Sequence, residues 1–401
     1  MKTICLLKNT VQEYAWGSYT AIPELLGKDS PSNRPQAELW MGAHPKAPSK
    51  VNCEGKWISL IELIKNNPID ILGKEVANKY DNRLPYLLKV LAAAKPLSIQ
   101  AHPSLKQASA GFERENSLGI PLNAFNRNYK DNNHKPECIC ALTPFWALNG
   151  FRKISGILSL MEKICPQNFN KELADLRNQP DHVGLKRFFN DLMTMDSDRQ
   201  KLLINDAVRN AQKLSEYNKV FEWMVNLHNE YQEDIGIFSP VILNLICLEP
   251  GQAMFLPAGE FHAYLDGVGI ELMANSDNVL RGGLTPKHVD VPELLKVLNF
   301  EEREINILSA QKRSNYEYVY LTPADEFELS VITDDKSIDY TSSEKRGVEI
   351  ILCIDGEAII NDIVKNVSVV LVKGASAVIP ASVKKYGIKG EGTLYKASVP
   401  V

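Results

Sequence analysis

The residues best suited to chemistry lie in three separated segments: Gln100-Ala101-His102-Pro103, His134-Lys135-Pro136-Glu137 and Pro257-Ala258-Gly259-Glu260-Phe261-His262. Together they offer two imidazoles, a carboxylate and an amide oxygen, a four-ligand set for a single metal ion. Gln100 and His102 stand two apart on a predicted strand, so both side chains project from one face. Glu137 follows a proline that fixes the local backbone and leads into an apolar run over 138–142, and His262 lies just past a Pro-Ala-Gly turn. An N2O2 set of this type suits zinc and also admits cobalt, nickel or iron. The same spacing is compatible with His102 and His262 as hydrogen-bonded core histidines and Gln100 as their partner. His134 reads either as a residue supporting the ligands or as part of a turn.

Charged groups surround this set. Lys135 is two residues from Glu137, so the strand alternation brings it to the same side. Arg281, in Leu280-Arg281-Gly282-Gly283, has glycine neighbours that leave its guanidinium little cover, and Lys287 follows Thr285-Pro286. Arg and Lys are the usual phosphate and oxyanion ligands, although most surface cations are simply solvated. Glu271 sits in the apolar string Gly269-Ile270-Glu271-Leu272-Met273-Ala274, where burial raises a carboxyl pKa and poises it for proton transfer. Its structural alternative is an ion pair with Arg281. Asp277, in Asn275-Ser276-Asp277-Asn278, has the composition of a turn. Phosphate-cradling Gly-rich loops, a dinucleotide fingerprint and a nucleophile elbow are absent from the sequence, which removes support for kinase, dehydrogenase and serine-hydrolase readings.

The elements that must position these residues are β-strands for the most part. A chain of 401 residues exceeds one ordinary core, so two or three domains are expected. Residues 1–152 mix short β runs with Pro/Gly turns, as in Leu87-Leu88-Lys89-Val90-Leu91 and Leu97-Ser98-Ile99-Gln100-Ala101. From 153 to 235 helical spacing takes over, with Leu185, Phe188, Phe189 and Leu192, then Val220, Trp223, Met224 and Leu227. After Ser239-Pro240 a continuous strand is expected over 241–248, and a short helix over 292–298. Residues 315–401 alternate strands and turns and carry a faint repeat: Gly251-Gln252-Ala253-Met254-Phe255-Leu256-Pro257-Ala258 returns as Gly374-Ala375-Ser376-Ala377-Val378-Ile379-Pro380-Ala381. Sliding one copy onto the other sets Lys385 against His262. The fold class expected is mainly β with an α-helical domain: two cupin-like jelly rolls plus a helical insertion, only the first roll metal-competent.

A composition of 44% hydrophobic and 23% charged residues is that of an ordinary globular protein, and a net charge of -4 argues against nucleic acid or an anionic membrane as partner. Seven scattered cysteines read as reduced thiols in a cytoplasmic protein, and Cys138-Ile139-Cys140 as a buried same-face pair with a structural role. The N-terminal apolar run is too short for a signal peptide, and no stretch is long enough to span a bilayer.

Tyr14-Ala15-Trp16-Gly17, Ala37-Glu38-Leu39-Trp40-Met41-Gly42, Leu97-Ser98-Ile99-Gln100-Ala101-His102-Pro103, Asn133-His134-Lys135-Pro136-Glu137, Pro257-Ala258-Gly259-Glu260-Phe261-His262-Ala263-Tyr264 and the segment 275–285 resemble, in order, type I mannose-6-phosphate isomerases. That resemblance implies one zinc per chain on Gln100, His102, Glu137 and His262. It implies a catalytic Arg281, active-site roles for Lys135, Glu271 and Lys287, and a proton-transfer role for Asp277. Lys287 also stands as a candidate phosphate ligand. Ser98 and Lys89 match positions linked to phosphate binding, and Arg152 stands where the family has a lysine with that role. The implied fold is a catalytic cupin (1–152 and 236–314), a helical domain (153–235) and a C-terminal jelly roll (315–401). The implied reaction interconverts mannose 6-phosphate and fructose 6-phosphate through a cis-enediol(ate), in a cytoplasmic monomer whose partner is a small sugar phosphate. The alternative is a non-catalytic sugar-phosphate-binding cupin, which would be expected to lack a ligand or Arg281.

Overall fold

The computed structural model describes residues 2–53, 55–165 and 169–400. Two antiparallel sheets, of 11 and 10 strands, form its framework. The long strand His262–Ala274 organises the first. Its opening residues pair with Ile99–Ala101 and Phe145–Phe151, and its later ones with Tyr86–Ala93 and Glu137–Ala141. The change of partners coincides with a bulge between Tyr264 and Asp266 and with Gly267 at φ 119°, where an added Cβ would lie 2.6 Å from the Pro144 carbonyl oxygen. Glycine is required there, and the bend it permits wraps the sheet around one interior.

Directly paired residues project to the same side of a sheet. The registers Trp40 with Lys89, Lys89 with Glu271, Glu271 with Ile139 and Met273 with Glu137 therefore set Glu38, Trp40, Lys89, Glu271 and Glu137 on one face. The alternating residues Leu39, Leu88, Val90, Cys138, Cys140, Ile270 and Leu272 face the other way. They share a core with Ile350, Leu352, Val378 and Ala397 of the second sheet. Each large apolar side chain buried there contributes roughly 1.5–3 kcal/mol, so the sheets are joined by a substantial common core. Cys138 and Cys140 are on this face, free and buried, with Cys140 Sγ donating to the Tyr320 hydroxyl at 3.2 Å.

Helices Ile154–Ile164, Asn170–Asn178, His182–Met193, Ser197–Gln212 and Lys219–Glu230 occupy the stretch between strands Phe145–Phe151 and Leu243–Leu248, which pair with each other. His182–Met193 buries Leu185, Phe188, Phe189 and Leu192 as the spacing predicts. Its start is capped by Asp181, which accepts from the amides of Val183 and Gly184, a cap worth ~1 kcal/mol. In Lys219–Glu230 the fully buried stripe is Phe221, Met224 and Leu227, with Val220 and Trp223 packed at its edge. The strand expected over 241–248 is shorter than the sequence pattern suggests. A helical turn, Ser239–Ile242, precedes the strand Leu243–Leu248, because Pro240 falls in a first turn where its missing N–H costs no bond. The helix expected at 292–298 is Val291–Val297, capped by Asp290.

The second sheet also recruits the N-terminus. Cys5–Lys8 pairs with Ser376–Ile379 on one side and Lys50–Cys53 on the other, and Lys56–Ser59 follows. The expected boundary at 315 therefore does not separate the sheets, since three early strands join the C-terminal one. The alternating pattern of Cys5–Lys8 marks a strand covering a core but not which core.

The faint repeat is a structural one. Gly251 and Gly374 turn at φ 84° and 81°, feed Gln252–Leu256 and Ser376–Ile379, and each unit continues into a strand of 13 residues, His262–Ala274 or Tyr386–Ser398. Leu256 pairs with Glu137, and the corresponding Ile379 pairs with Glu349. Glu349 is thus the positional counterpart of Glu137.

Candidate metal centre

Three strand ends meet at the centre of the first sheet. His262 opens its strand opposite Gln100 and Asn149, His102 follows Ile99–Ala101, and Glu137 opens Glu137–Ala141. His102 Nε2 lies 3.3 Å from Glu137 Oε1, and His262 Nε2 lies 3.4 Å from Glu137 Oε2. His102, Glu137 and His262 are each about 1% exposed.

Their outer contacts settle the tautomers. His102 Nδ1 is 2.7 Å from the Asn278 carbonyl oxygen, and His262 Nδ1 is 2.9 Å from that of Glu260. A carbonyl only accepts, so each Nδ1 carries the proton and each Nε2 turns a lone pair inward. Both Nε2 atoms and both carboxylate oxygens of Glu137 lack a hydrogen-bond partner among the described residues. The Lys135 ammonium lies beside Oε1, but the two inward Nε2 lone pairs and Oε2 have no such partner, and burying them is costly unless a further cation sits among them. Burial first, then the Lys135 ammonium, push the His102 imidazole down to about 4, keeping it neutral and ligand-competent. Burial works against ionisation of Glu137. Lys135 Nζ, 2.7 Å from Oε1, nevertheless holds it well below the usual carboxylate range. The donor set fits zinc. Gln100 is half-buried at the same strand end, paired in register with both His262 and Arg281.

The flanking groups divide sharply. Arg281 is half-buried, and its guanidinium makes no ion pair or hydrogen bond among the described residues; burial alone lowers its pKa. A half-buried guanidinium without a partner has the chemistry to receive an anion. Lys287 is exposed, and burial of its head, then the charges of Arg281 and Lys46, lower its pKa. Ser98 is half-buried two residues before Gln100. Glu271 does not pair with Arg281, the alternative considered above. It meets Lys89 at 2.7 Å, and Lys89 also reaches Glu38 at 3.2 Å, with all three buried. Burial raises the Glu271 carboxyl, opposed by Lys89 and reinforced by the charge of Glu137.

Two expected phosphate ligands are otherwise engaged. Lys89 is sealed between two carboxylates and lies over the Trp40 ring at 5.4 Å. The guanidinium of Arg152 donates to the carbonyls of Val241, Pro240 and Leu243 at 3.2, 3.1 and 3.1 Å, closing the turn at the end of the helical stretch.

Asp277 is more than a turn residue. It meets Lys46 at 2.9 Å and His44 at 3.6 Å, beside a cavity of about 1230 Å³ that reaches Pro136, Pro257 and Ala258, the residues flanking the ligand segments. The cavity's lining does not include the ligands themselves. Sequence reasoning assigned no role to Asn278, His44 or Glu38. Asn278 is fully buried; its side chain donates to the carbonyls of Asp131 and Asn133 at 2.8 Å each and accepts from the Lys130 amide at 2.6 Å, which fixes the carbonyl that orients His102. A string such as Asn-Ser-Asp-Asn signals a turn, and only tertiary contacts reveal that this one is a clamp.

What these strand ends define is a metal-ion site of the His/Glu/His type, buried in an antiparallel β framework, with the Arg281 guanidinium on a neighbouring strand. A family model described as phosphomannose isomerase type I, catalytic domain, matches residues 4–154. Mannose-6-phosphate isomerase from Salmonella typhimurium is 42% identical over 390 residues, covering 97% of each chain, and the human enzyme is 36% identical over 317 residues, covering 73% of this chain and 72% of its own. A crystal structure of a single-site variant of the Salmonella typhimurium phosphomannose isomerase superimposes with a TM-score of 0.91 at 39% identity, covering both chains completely. A zinc-bound mannose 6-phosphate isomerase structure does so with 0.90 at 38%, again over all of both chains. The chain belongs to the type I mannose-6-phosphate isomerases.

Proposed function

We propose that the chain is a zinc-dependent aldose–ketose isomerase that interconverts mannose 6-phosphate and fructose 6-phosphate. The observation that carries this reading is the convergence of His102 Nε2, His262 Nε2 and both oxygens of Glu137, unsatisfied and buried, beside the unpaired Arg281. Gln100, His102, Glu137 and His262 would hold one zinc ion. When bound, it supplies Lewis-acid polarisation of sugar oxygens without redox chemistry.

In the open-chain sugar, one proton passes from C2 to C1 and another from the O2 hydroxyl to O1 while the carbonyl moves from C1 to C2, so atoms balance through a cis-enediol(ate). Glu271, raised by burial, and Asp277, on the cavity wall, are the carboxylates suited to hold and move protons. Lys135 keeps Glu137 ionised. Arg281 places a fixed positive charge where the enediolate develops. Lys287 and Ser98 are the groups left to meet the phosphate. Lys89, between Glu271 and Glu38, serves best as the countercharge that fixes Glu271.

The architecture is read as two jelly rolls with a helical unit, residues 153–235, inserted between two paired strands of the first. The roll of 315–401 takes three N-terminal strands and Gln311–Lys312, and the first roll comprises the rest of 1–152 with the rest of 236–314. Pairing of Phe145–Phe151 with Leu243–Leu248 supports the insertion. We read the protein as a cytoplasmic monomer without nucleic-acid or membrane partners. All seven cysteines are free, and no described helix is long and apolar enough to cross a membrane.

An isomerisation assay with mannose 6-phosphate, run before and after chelation, tests the reading. Fructose 6-phosphate should form, cease with chelator and return on adding zinc. A purified protein that binds the sugar phosphate and never converts it would instead support the binding module.

A further inference from the structure

The sheet of residues 315–401 brings no ligand to the metal cluster, yet one of its segments reaches the chain that does. Tyr320, Ala324 and Phe327 anchor residues 320–327 in the core shared by both sheets, and the Tyr320 hydroxyl donates to the Gly251 carbonyl at 2.9 Å. On this anchored segment Glu326 accepts from His134 Nε2 at 2.7 Å, with side chains only 12% and 26% exposed. Lys79 holds the neighbouring Asp325 at 3.2 Å, and residues 323–326 form one wall of the cavity that reaches Pro136.

His134 starts the segment that delivers the ligand. Lys135 follows with its contact to Glu137, then Pro136, then Glu137 itself. The preceding residue, Asn133, is held from the opposite side: its side chain donates to the Asn275 carbonyl at 3.0 Å, and its carbonyl accepts from Ser276 and Asn278 at 3.2 and 2.8 Å. The ligand segment is therefore gripped between the 275–278 clamp and Glu326.

Resting on the zinc reading above, we propose that Glu326 is a positioning residue of the isomerase, through which the C-terminal sheet sets the placement of Lys135 and Glu137 by way of His134. Outer partners that orient metal ligands typically contribute about 10–100-fold to metal affinity or activity, and Glu326, acting through an intermediate side chain, belongs at the lower end.

The test compares wild type with Glu326→Ala, Glu326→Gln, His134→Ala and the double alanine variant, reading zinc release to a chelator, kcat and KM for mannose 6-phosphate, and Tm. Glu326→Ala should speed zinc release about tenfold and lower kcat by a similar factor with KM little changed. Glu326→Gln keeps an acceptor oxygen for His134 and should retain most of both. In the His134→Ala background, Glu326→Ala should add almost nothing. Unchanged zinc release and kcat in Glu326→Ala, additive losses in the double variant, or a rise in KM alone would each overturn the proposal. If Glu326→Ala does not fold, Glu326→Asp, which withdraws the carboxylate by one methylene, should show the same losses, and its equality with wild type would overturn the proposal. A wild type without zinc or turnover would overturn the functional reading itself; a zinc-loaded, active wild type matched by its variants overturns only this one.

Discussion

Glu137 and Glu349 occupy the same position in two copies of one β unit, each opposite the end of the strand that a positive-φ glycine introduces. Their surroundings differ in what neutralises them. Glu137 has one cation of its own, Lys135 Nζ at 2.7 Å from Oε1, and still faces the buried Nε2 atoms of His102 and His262, which have no partner among the described residues. Glu349 has a built-in cation: Arg346 Nη1 lies 3.2 Å from one oxygen and Lys396 Nζ 3.8 Å from the other. Arg346 in turn donates to the carbonyls of Gly347, Pro380 and Val383 and stacks at 5.1 Å on Tyr386. A buried carboxylate demands a positive partner. The first copy sets two inward imidazole lone pairs beside its carboxylate and so has a place for an imported ion; the second surrounds its carboxylate with its own cations alone and becomes a joint.

The comparison breaks most visibly at the ligands. His262→Ala should lose both its metal and its turnover, and metal analysis with an isomerisation assay checks this; a variant keeping both would place the centre elsewhere. Arg281→Ala should lower kcat by about a hundred- to a thousandfold, on the order of 2.7–4 kcal/mol, while KM for mannose 6-phosphate moves far less. Steady-state kinetics with zinc content verified reads the split, and a raised KM with kcat intact would make Arg281 a ground-state phosphate ligand.

On the second copy the expected loss is of stability. Arg346→Ala strands Glu349 in the interior and should cost about 3–5 kcal/mol in denaturant unfolding, with the folded fraction still active. A loss below ~1 kcal/mol would show that Lys396 alone suffices as countercharge. The smallest effect concerns pH. Burial opposes ionisation of Glu317, but Lys396 beside it holds its carboxyl below the ordinary 4.5. Its stabilising contribution is therefore complete above the unfolded value and fades as pH falls through the lower folded value. Melting temperature should decline on acidification below about 4.5, and Glu317→Gln should flatten that decline.

His102, Glu137 and His262 were legible in the sequence as candidate ligands by residue type and by their Pro/Gly-bounded segments, but not by strand alternation: the strand of Gln100 stops at Ala101 and the next begins at Glu137 itself, which leaves His102 and Lys135 just outside. The repeat was legible because a glycine turn, a short apolar strand and Pro-Ala leave a local trace. The partner of Glu349 was not. The repeat offset points to Lys385, which instead lies at the surface and pairs with Glu344 at 3.2 Å. The cation that neutralises Glu349 is Arg346, three residues upstream, and no local pattern announces which of two basic residues turns inward. Lys89 and Arg152 show the same limit. The resemblance linked both positions to phosphate, whereas burial between Glu38 and Glu271, and three backbone carbonyls, decide what each side chain meets in this structure.

Metal content measured side by side in wild type, Glu137→Gln and Glu349→Gln tests the contrast between the two carboxylates most directly. One zinc per chain is expected in wild type and in Glu349→Gln, and none in Glu137→Gln. Zinc retained by Glu137→Gln, or lost from a folded Glu349→Gln, would contradict it.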